Sequence, residues 1–193
     1  MRNNINVIGV DEVGRGSLAG PVVAAAVILK SGIKSIKIKD SKKISFKKRL
    51  KIADYIKKNS KFSIGTASVK EIQKLNILNA SLLSMKRAIK KLKVKNKKIL
   101  IDGKFAPKGL TNYRTIIKGD EKIKSISAAS IIAKVYRDLL MIKISKKFKN
   151  YHLDKNFGYG TKLHLKCLKK YGVTPIHRKS FKPIHNMLLK GKM

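Results

Sequence analysis

The sequence contains a single cysteine, Cys167, which excludes an internal disulfide and any metal site built from cysteines. A chain without disulfides is typical of a reducing compartment. The apolar runs are also short, because none approaches the roughly eighteen uncharged residues that a membrane-spanning helix needs. Two acids interrupt the first apolar run at once, so the N-terminus does not fit a signal peptide. We therefore expect a cytoplasmic protein without a membrane segment.

Acidic residues are scarce as well. Ten Asp and Glu stand against 47 Lys and Arg, which gives a formal net charge of +37. A field of this sign attracts polyanions, and nucleic acid is the most common one. Forty of the basic residues are lysines, and their abundance alongside Ile and Asn also fits codon bias in an AT-rich genome. Any one lysine can therefore be a drifted surface residue, although the summed field is strongly positive.

The length of 193 residues suits one domain, which we assign to 1–193 with a basic C-terminal tail at 179–193. Apolar and β-branched runs predict strands at 7–10, 21–29, 62–68, 99–102 and 113–118. Apolar periodicity and capping residues predict helices at 46–58, 78–92, 128–148 and 161–170. This order of elements predicts an α/β fold in which helices cover a mixed sheet.

The positions of the acids are informative in so basic a chain. Asp11 and Glu12 end the first predicted strand, Asp102 ends the fourth, and Asp120 directly follows the fifth. Open α/β sheets place their sites at the carboxyl ends of strands, so these ends could bring four carboxylates together. The adjacent pair has no packing value at a buried strand end, whereas Asp102 and Asp120 each lie beside a glycine and also fit plain turns.

Carboxylates that are packed together repel one another and resist burial unless a cation neutralises them. Oxygen ligands select hard ions, so the four acids predict a site for Mg²⁺ or Mn²⁺. A hard divalent ion in a strongly basic protein indicates phosphate chemistry. Two such ions would stabilise the attacking water and the leaving oxygen of an in-line displacement.

The remaining acids and two histidines fit structural or surface roles. We interpret Asp40, Asp54 and Glu71 as surface groups. Asp138, in the middle of a predicted helix, is interpreted as one half of a structural ion pair. His164 and His177 could be mistaken for metal ligands, but hard ions favour oxygen, so we expect both to support the fold.

Six segments of the chain form an ordered series. They are GVDEVGRGSLAGPVVAAAVIL at 9–29, DSKKIS at 40–45, IDG at 101–103, KGD at 118–120 with SISAASIIAKVYRD at 125–138, GYGTKLHL at 158–165 and YGVTPIHRKSF at 171–181. Together they resemble the signature blocks of the ribonuclease HII family. The series covers nearly the whole chain, and six blocks in order are far more specific than any one of them.

This resemblance implies an RNase H-like fold: a mixed five-stranded sheet flanked by helices, with a C-terminal helical segment. It also implies an endonuclease that hydrolyses the RNA strand of RNA/DNA hybrids and cuts 5′ of single ribonucleotides in duplex DNA. The expected products carry a 5′-phosphate and a 3′-hydroxyl, and the expected role is removal of ribonucleotides and RNA primers. In the family, the acids that match Asp11, Glu12, Asp102 and Asp120 bind the catalytic Mn²⁺ or Mg²⁺.

The resemblance also assigns residues to the substrate. Gly14, Arg15 and Gly16 match a loop that contacts the 2′-hydroxyl of the ribonucleotide, the group that distinguishes RNA from DNA. Tyr159 matches a tyrosine that packs against the nucleotide at the RNA–DNA junction. Lys42 resembles a lysine that contacts a phosphate. From the residues alone, a plain glycine-rich turn with a solvated Arg is the preferred interpretation of the loop, and Tyr159 equally fits a half-buried core residue.

Arg178 and Ser180, in HRKSF, are assigned to contact with the substrate backbone, with folding of the last segment as the alternative. An Arg at position 15 and a signature that starts at residue 9 favour ribonuclease HII over ribonuclease HIII, which typically has Lys there and an extra N-terminal domain. The expected partners are RNA/DNA hybrid and ribonucleotide-containing duplex DNA, bound by a monomer.

Two other classes stay open at this point. An RNA-binding protein of ribosomal type suits the charge of +37, but it has no need of clustered acids. A resolvase, or a ribonuclease H of the first type, suits the acids and the fold. That second class leaves the Gly14–Arg15–Gly16 segment and Tyr159 without a use.

Overall fold

The computed structural model describes residues 7–31 and 45–190. The strands in these ranges are β1 (Ile8–Val13), β2 (Val22–Leu29), β3 (Ser60–Ala67), β4 (Ile99–Asp102) and β5 (Tyr113–Ile116). The α-helices are α1 (Phe46–Lys58), α2 (Val69–Lys91), α3 (Gly119–Lys122), α4 (Lys124–Ser145), α5 (Leu153–Asn156), α6 (Lys162–Tyr171) and α7 (Lys182–Lys190). A short 3-10 helix, Lys149–Tyr151, links α4 to α5.

The five strands form one sheet in the order β3-β2-β1-β4-β5. β1, β2 and β3 pair antiparallel, whereas β1, β4 and β5 pair parallel. The predicted mixed five-stranded sheet is therefore confirmed. The parallel half places the carboxyl ends of β1, β4 and β5 at one edge of the sheet, which is where ligands bind in such sheets.

Alternation along β2 explains why helices cover both faces of the sheet. Ala25 and Val27 belong to a core with α1 and α4, and Ala24 and Ala26 belong to a second core with α2. Successive side chains of a strand point to opposite faces, so an unbroken apolar run is buried on both sides. Gly9 of β1 lets α4 approach closely, because a Cβ there would collide with the backbone of Ser125.

Two predicted boundaries are wrong, and one helix has a first segment that was not predicted. α4 begins at Lys124, so Ser127 lies inside the helix and its hydroxyl donates to the Asp120 carbonyl instead of capping. β5 ends at Ile116, and Lys118 then takes a left-handed conformation with φ 55° before the turn of α3. The predicted helix at 78–92 matches the second part of α2, because Asn76 breaks the helix with φ 65° and ψ 169° and its side chain accepts from the N–H of Asn79. The part before this break, which begins at Val69 after the capping box of Ser68, was not predicted.

The C-terminal elements pack as a helical layer against the far end of α4. Met141 of α4, Leu168 of α6 and Ile184 of α7 share a core with Leu18 and Ala19, which follow β1. Ile184 is fully buried, so the stretch predicted as a basic tail contains a packed helix. No helix within residues 7–31 and 45–190 is both long and apolar enough to cross a membrane.

Candidate active site

Three of the four predicted acids line one pocket at the carboxyl edge of the sheet. The pocket has a volume of about 400 Å³ and is bounded by Asp11, Glu12 and Asp102 together with Val13, Arg49, Ser130, Lys134 and Tyr159. The strand register brings two of the acids together. Val10 pairs with Ile101 across parallel strands, so the next residues, Asp11 and Asp102, lie side by side.

Burial is the main influence on the pKa values of Asp11 and Glu12. Burial raises the pKa of Asp11 well above its ordinary value, and the charges of Glu12 and Asp102 add to the rise while a hydrogen bond with Ser130 opposes it. Burial also raises the pKa of Glu12, against the opposing charge of Arg15. Buried carboxylates with raised pKa values are typical of sites that bind a cation or move a proton.

Asp120, the fourth predicted acid, lies beside this pocket. It belongs to the short helix α3, and its backbone N–H lies 3.4 Å from Asp102 Oδ1. The same oxygen accepts a 2.6 Å hydrogen bond from the N–H of Gly119. The backbone that carries Asp120 is thus tied to Asp102, although the Asp120 side chain is not part of the pocket lining.

The available donors fit a hard divalent ion. The lining acids offer oxygen atoms, which Mg²⁺ and Mn²⁺ prefer. Glu12 Oε2 is buried without a hydrogen-bond partner, and such an atom is costly unless a ligand engages it. Within the described residues, no three acidic, histidine or cysteine side chains are gathered closely enough to form a metal group by themselves. The fit therefore depends on the donor set and on Glu12 Oε2.

The glycine loop that follows β1 forms one rim of the site. Gly14 has φ +91°, and a Cβ there would collide with the Arg137 side chain. A Cβ on Gly16, by contrast, would meet nothing within 4 Å. The exposed Arg15 side chain lies 3.2 Å from Glu12 Oε1. The loop therefore packs tightly at its first glycine and is open at its second.

Two buried arginines support this loop from below. Arg178 donates to the carbonyls of Arg15 (2.8 Å) and Gly20 (2.9 Å), and Arg137 donates to those of Pro21, Ala19 and Phe157. Both side chains are fully buried. These bonds and this burial favour the alternative for Arg178, which is folding of the last segment against the loop, and its contact with the substrate backbone stays a prediction.

The other predicted substrate residues have different outcomes. Tyr159 is half-buried and lines the pocket, so it is more than a core residue. Lys134 and Arg137 both lie 5.5 Å from its ring centroid, a cation–π arrangement. Ser180 is exposed just before α7, and its contact with the substrate stays a prediction. Lys42 lies outside the described residues.

Three polar residues of the pocket were not predicted from the sequence: Arg49, Ser130 and Lys134. Asp138 forms the expected ion pair, with Lys134 at 2.7 Å and with Arg49 at 3.4 Å. Residues four apart on a helix face one another, so the spacing of Lys134 and Asp138 was a usable signal. Arg49 comes from α1, and no local pattern connects it to α4.

The histidines lie in the C-terminal layer, as expected of residues that support the fold. His164 Nε2 lies 3.2 Å from His177 Nε2, and His164 Nδ1 lies 2.9 Å from the Tyr159 carbonyl oxygen. Burial lowers the pKa of both, and that of His177 falls to about 4. Both rings are therefore neutral at physiological pH, and neither lines the pocket.

A mixed sheet with buried carboxylates at the ends of two parallel strands, faced by basic and aromatic side chains, defines a nuclease of the RNase H-like class. The family model for ribonuclease HII matches residues 8–184. Ribonuclease HII of Pelagibacter ubique (strain HTCC1062) is 60% identical over 182 residues, which cover 93% of this chain and 97% of that protein. The chain therefore belongs to the ribonuclease HII family, and it is a ribonuclease H endoribonuclease.

Solved structures agree with this assignment. The ribonuclease H2 of Pyrococcus horikoshii OT3 superposes with a TM-score of 0.80 and 26% identity, over 97% of this chain and 99% of that one. The fold is also that of Bst-RNase HIII, solved in complex with Mn²⁺, with a TM-score of 0.76 and 18% identity over 98% of this chain and 71% of that one. The predicted RNase H-like fold is thus confirmed.

Proposed function

We propose that this endoribonuclease hydrolyses the RNA strand of RNA/DNA hybrids and cuts 5′ of single ribonucleotides embedded in duplex DNA. The products carry a 5′-phosphate and a 3′-hydroxyl, and the role is removal of ribonucleotides and RNA primers from DNA. One observation carries the proposal: Asp11, Glu12 and Asp102 line a single pocket together with Lys134 and Tyr159. That pocket combines metal-ligating oxygens with groups suited to a phosphate and a base or sugar.

Asp11, Glu12 and Asp102 would hold Mg²⁺ or Mn²⁺, with Asp120 joining them from the adjoining turn. When bound, the ion supplies Lewis-acid activation of water and stabilises charge on the phosphate. Burial of Asp11 and Glu12 keeps their oxygens out of bulk water, and it raises the pKa of both because it disfavours the charged carboxylates. The hydrogen bonds from Gly119 and Asp120 orient the Asp102 carboxylate.

The glycine loop, residues 14–16, recognises the ribose of the ribonucleotide. Gly16 leaves open space on the loop, and glycine permits close approach of the backbone to a ligand. A 2′-hydroxyl in that space would bond to the backbone of residues 14–16, and a deoxyribose would leave those groups unpaired. Arg137 and Arg178 keep the loop in place through its carbonyls.

The rest of the contact is independent of base sequence. Tyr159 stacks on the nucleotide next to the cut, and Lys42 and Ser180 bind the substrate backbone. The net charge of +37 attracts the duplex, so binding should weaken steeply with salt. The lone cysteine is typical of a reducing compartment, and the proposal is of a monomeric cytoplasmic enzyme.

The test uses a DNA duplex with one embedded ribonucleotide and a matched all-DNA duplex. We expect cleavage of the first alone, mapped to the 5′ side of the ribonucleotide, in Mg²⁺ or Mn²⁺. Chelation should abolish it. Binding without cleavage in either metal would contradict the proposal and would favour an RNA-binding role of ribosomal type. Equal cleavage of both duplexes would favour a nuclease that does not read the 2′-hydroxyl.

A further inference from the structure

Lys134 lies on the α4 wall of the pocket that holds the three carboxylates. Its Nζ atom is 2.7 Å from Asp138 Oδ1, and it lies 5.0 Å and 5.5 Å from the ring centroids of Phe157 and Tyr159. A lysine ammonium carries three donors. Asp138 accepts one of them, and aromatic faces stabilise the charge without accepting a conventional hydrogen bond. The ammonium therefore keeps donors for a ligand in the pocket.

Asp138 contacts this ammonium from the interior of the protein. Its side chain is fully buried, whereas that of Lys134 is 27% exposed, so the pair points from the interior toward the pocket. The other carboxylate oxygen of Asp138 lies 3.4 Å from Arg49, a second basic residue of the lining. Buried ion pairs rarely stabilise a fold more than apolar residues of the same volume. Stability alone therefore does not account for a buried acid behind two pocket-lining cations.

Hydrolysis of a phosphodiester is favoured by a positive charge beside the phosphate that is cut. The oxygen of a water molecule bonds to phosphorus, and the bond from phosphorus to the 3′ oxygen breaks with its electron pair leaving on that oxygen. The water gives up a proton to solvent, and the 3′ oxygen gains one. In the transition state between substrate and products, the phosphoryl group carries more negative charge than in the substrate. A fixed cation therefore stabilises the transition state more than the substrate.

We propose that Lys134 is a catalytic residue that donates to a non-bridging oxygen of the phosphate being cut. Asp138 is the positioning residue that aims it. This inference rests on the proposed function and adds a protein cation to the acids that define the site. Lys134 faces the carboxylates across the same pocket, which is where the phosphate must lie to reach them.

The experiment compares Lys134→Ala with Lys143→Ala on the embedded-ribonucleotide duplex. Lys143 is an exposed residue of the same helix, so each variant removes one positive charge from α4. We expect kcat of Lys134→Ala to fall roughly 100-fold, as for loss of one transition-state donor, while KM changes no more than in Lys143→Ala. Added ethylammonium should restore part of kcat, and tetramethylammonium, which has no N–H, should not.

The outcomes separate the two proposals. If wild-type protein does not cut the duplex in Mg²⁺ or Mn²⁺, the proposed function fails. If wild-type protein cuts it and Lys134→Ala matches Lys143→Ala, only the role of Lys134 fails. A change confined to KM would place Lys134 among general duplex-binding lysines. A loss of kcat that ethylammonium restores no better than tetramethylammonium would make Lys134 a support of the fold, and either result overturns the inference.

Discussion

The backbone N–H of Gly119 donates a 2.6 Å hydrogen bond to the carboxylate of Asp102. This bond joins the end of β4 to the turn that carries Asp120. Gly119 is buried. Ile126 of α4 and the Asp102 carboxylate occupy the space where a side chain at position 119 would lie. Asp102 and Asp120 are therefore coupled through Gly119, and the coupling can be tested.

Gly119→Ala should destabilise the protein. The new Cβ would lie 2.7 Å from Ile126 Cδ1 and 3.3 Å from Asp102 Oδ1, and overpacking of this kind costs about 1–3 kcal/mol. Urea unfolding should show the loss. Gly16→Ala is the matched control, because its Cβ would meet nothing within 4 Å. Equal unfolding midpoints for the two variants would mean that the contact at Gly119 is not tight.

Asp102→Asn should abolish cleavage and leave binding of the duplex largely intact. An Asn side-chain oxygen still accepts the bonds from Gly119 and Asp120, so the turn keeps its place while a negative metal-ligating oxygen is lost. We expect cleavage to fall by at least about 100-fold. Gel-shift binding in chelator checks the other half of the prediction. A variant that cuts normally would remove Asp102 from the metal site.

Asp11→Asn should stabilise the metal-free protein at neutral pH. Unfolded Asp11 ionises near its ordinary pKa of 3.8, and the folded carboxyl has a pKa well above that value because of burial. Between the two values the folded state binds more protons, so wild-type stability falls as pH rises through this window. An Asn at position 11 does not ionise and avoids the loss.

The measurement is the urea midpoint of both proteins across pH in chelator. The gain of Asp11→Asn should grow as pH rises above 3.8, the ordinary pKa, and should disappear as pH falls below it. Asp54→Asn is the control, because the Asp54 side chain is 65% exposed. A gain that is the same at every pH would have a cause other than ionisation of Asp11.

Asp138→Asn should be strongly destabilising. The substitution leaves Lys134 and Arg49 without their shared carboxylate at a fully buried position, and loss of one member of a buried ion pair costs about 3–5 kcal/mol. The exposed pair of Asp54 and Lys57 gives the comparison, since its loss costs about 0–1 kcal/mol. Similar urea midpoints for Asp138→Asn and Asp54→Asn would contradict the prediction.

Local patterns predicted the strands and the acids at their ends, because alternation and turn residues act over short spans of sequence. They did not predict what tertiary packing decides. Arg178 contacts the carbonyl of Arg15 across 163 positions, and no periodicity carries that information. Its burial favours the second of its two expected roles, folding of the last segment. Arg49 was missed for the same reason, since α1 meets the pocket only in the folded chain.

Residues from late in the sequence form hydrogen bonds with the loop that follows β1. The N–H of Gly20 donates to the Ile176 carbonyl, and the N–H of Arg178 donates to the Leu18 carbonyl. During synthesis this loop emerges from the ribosome early, yet its partners, Ile176 and Arg178, emerge much later. A nascent or truncated chain that stops after α6 contains every acid of the pocket but lacks these bonds. The loop beside the pocket acids thus gains these bonds only after residue 178 has been synthesised.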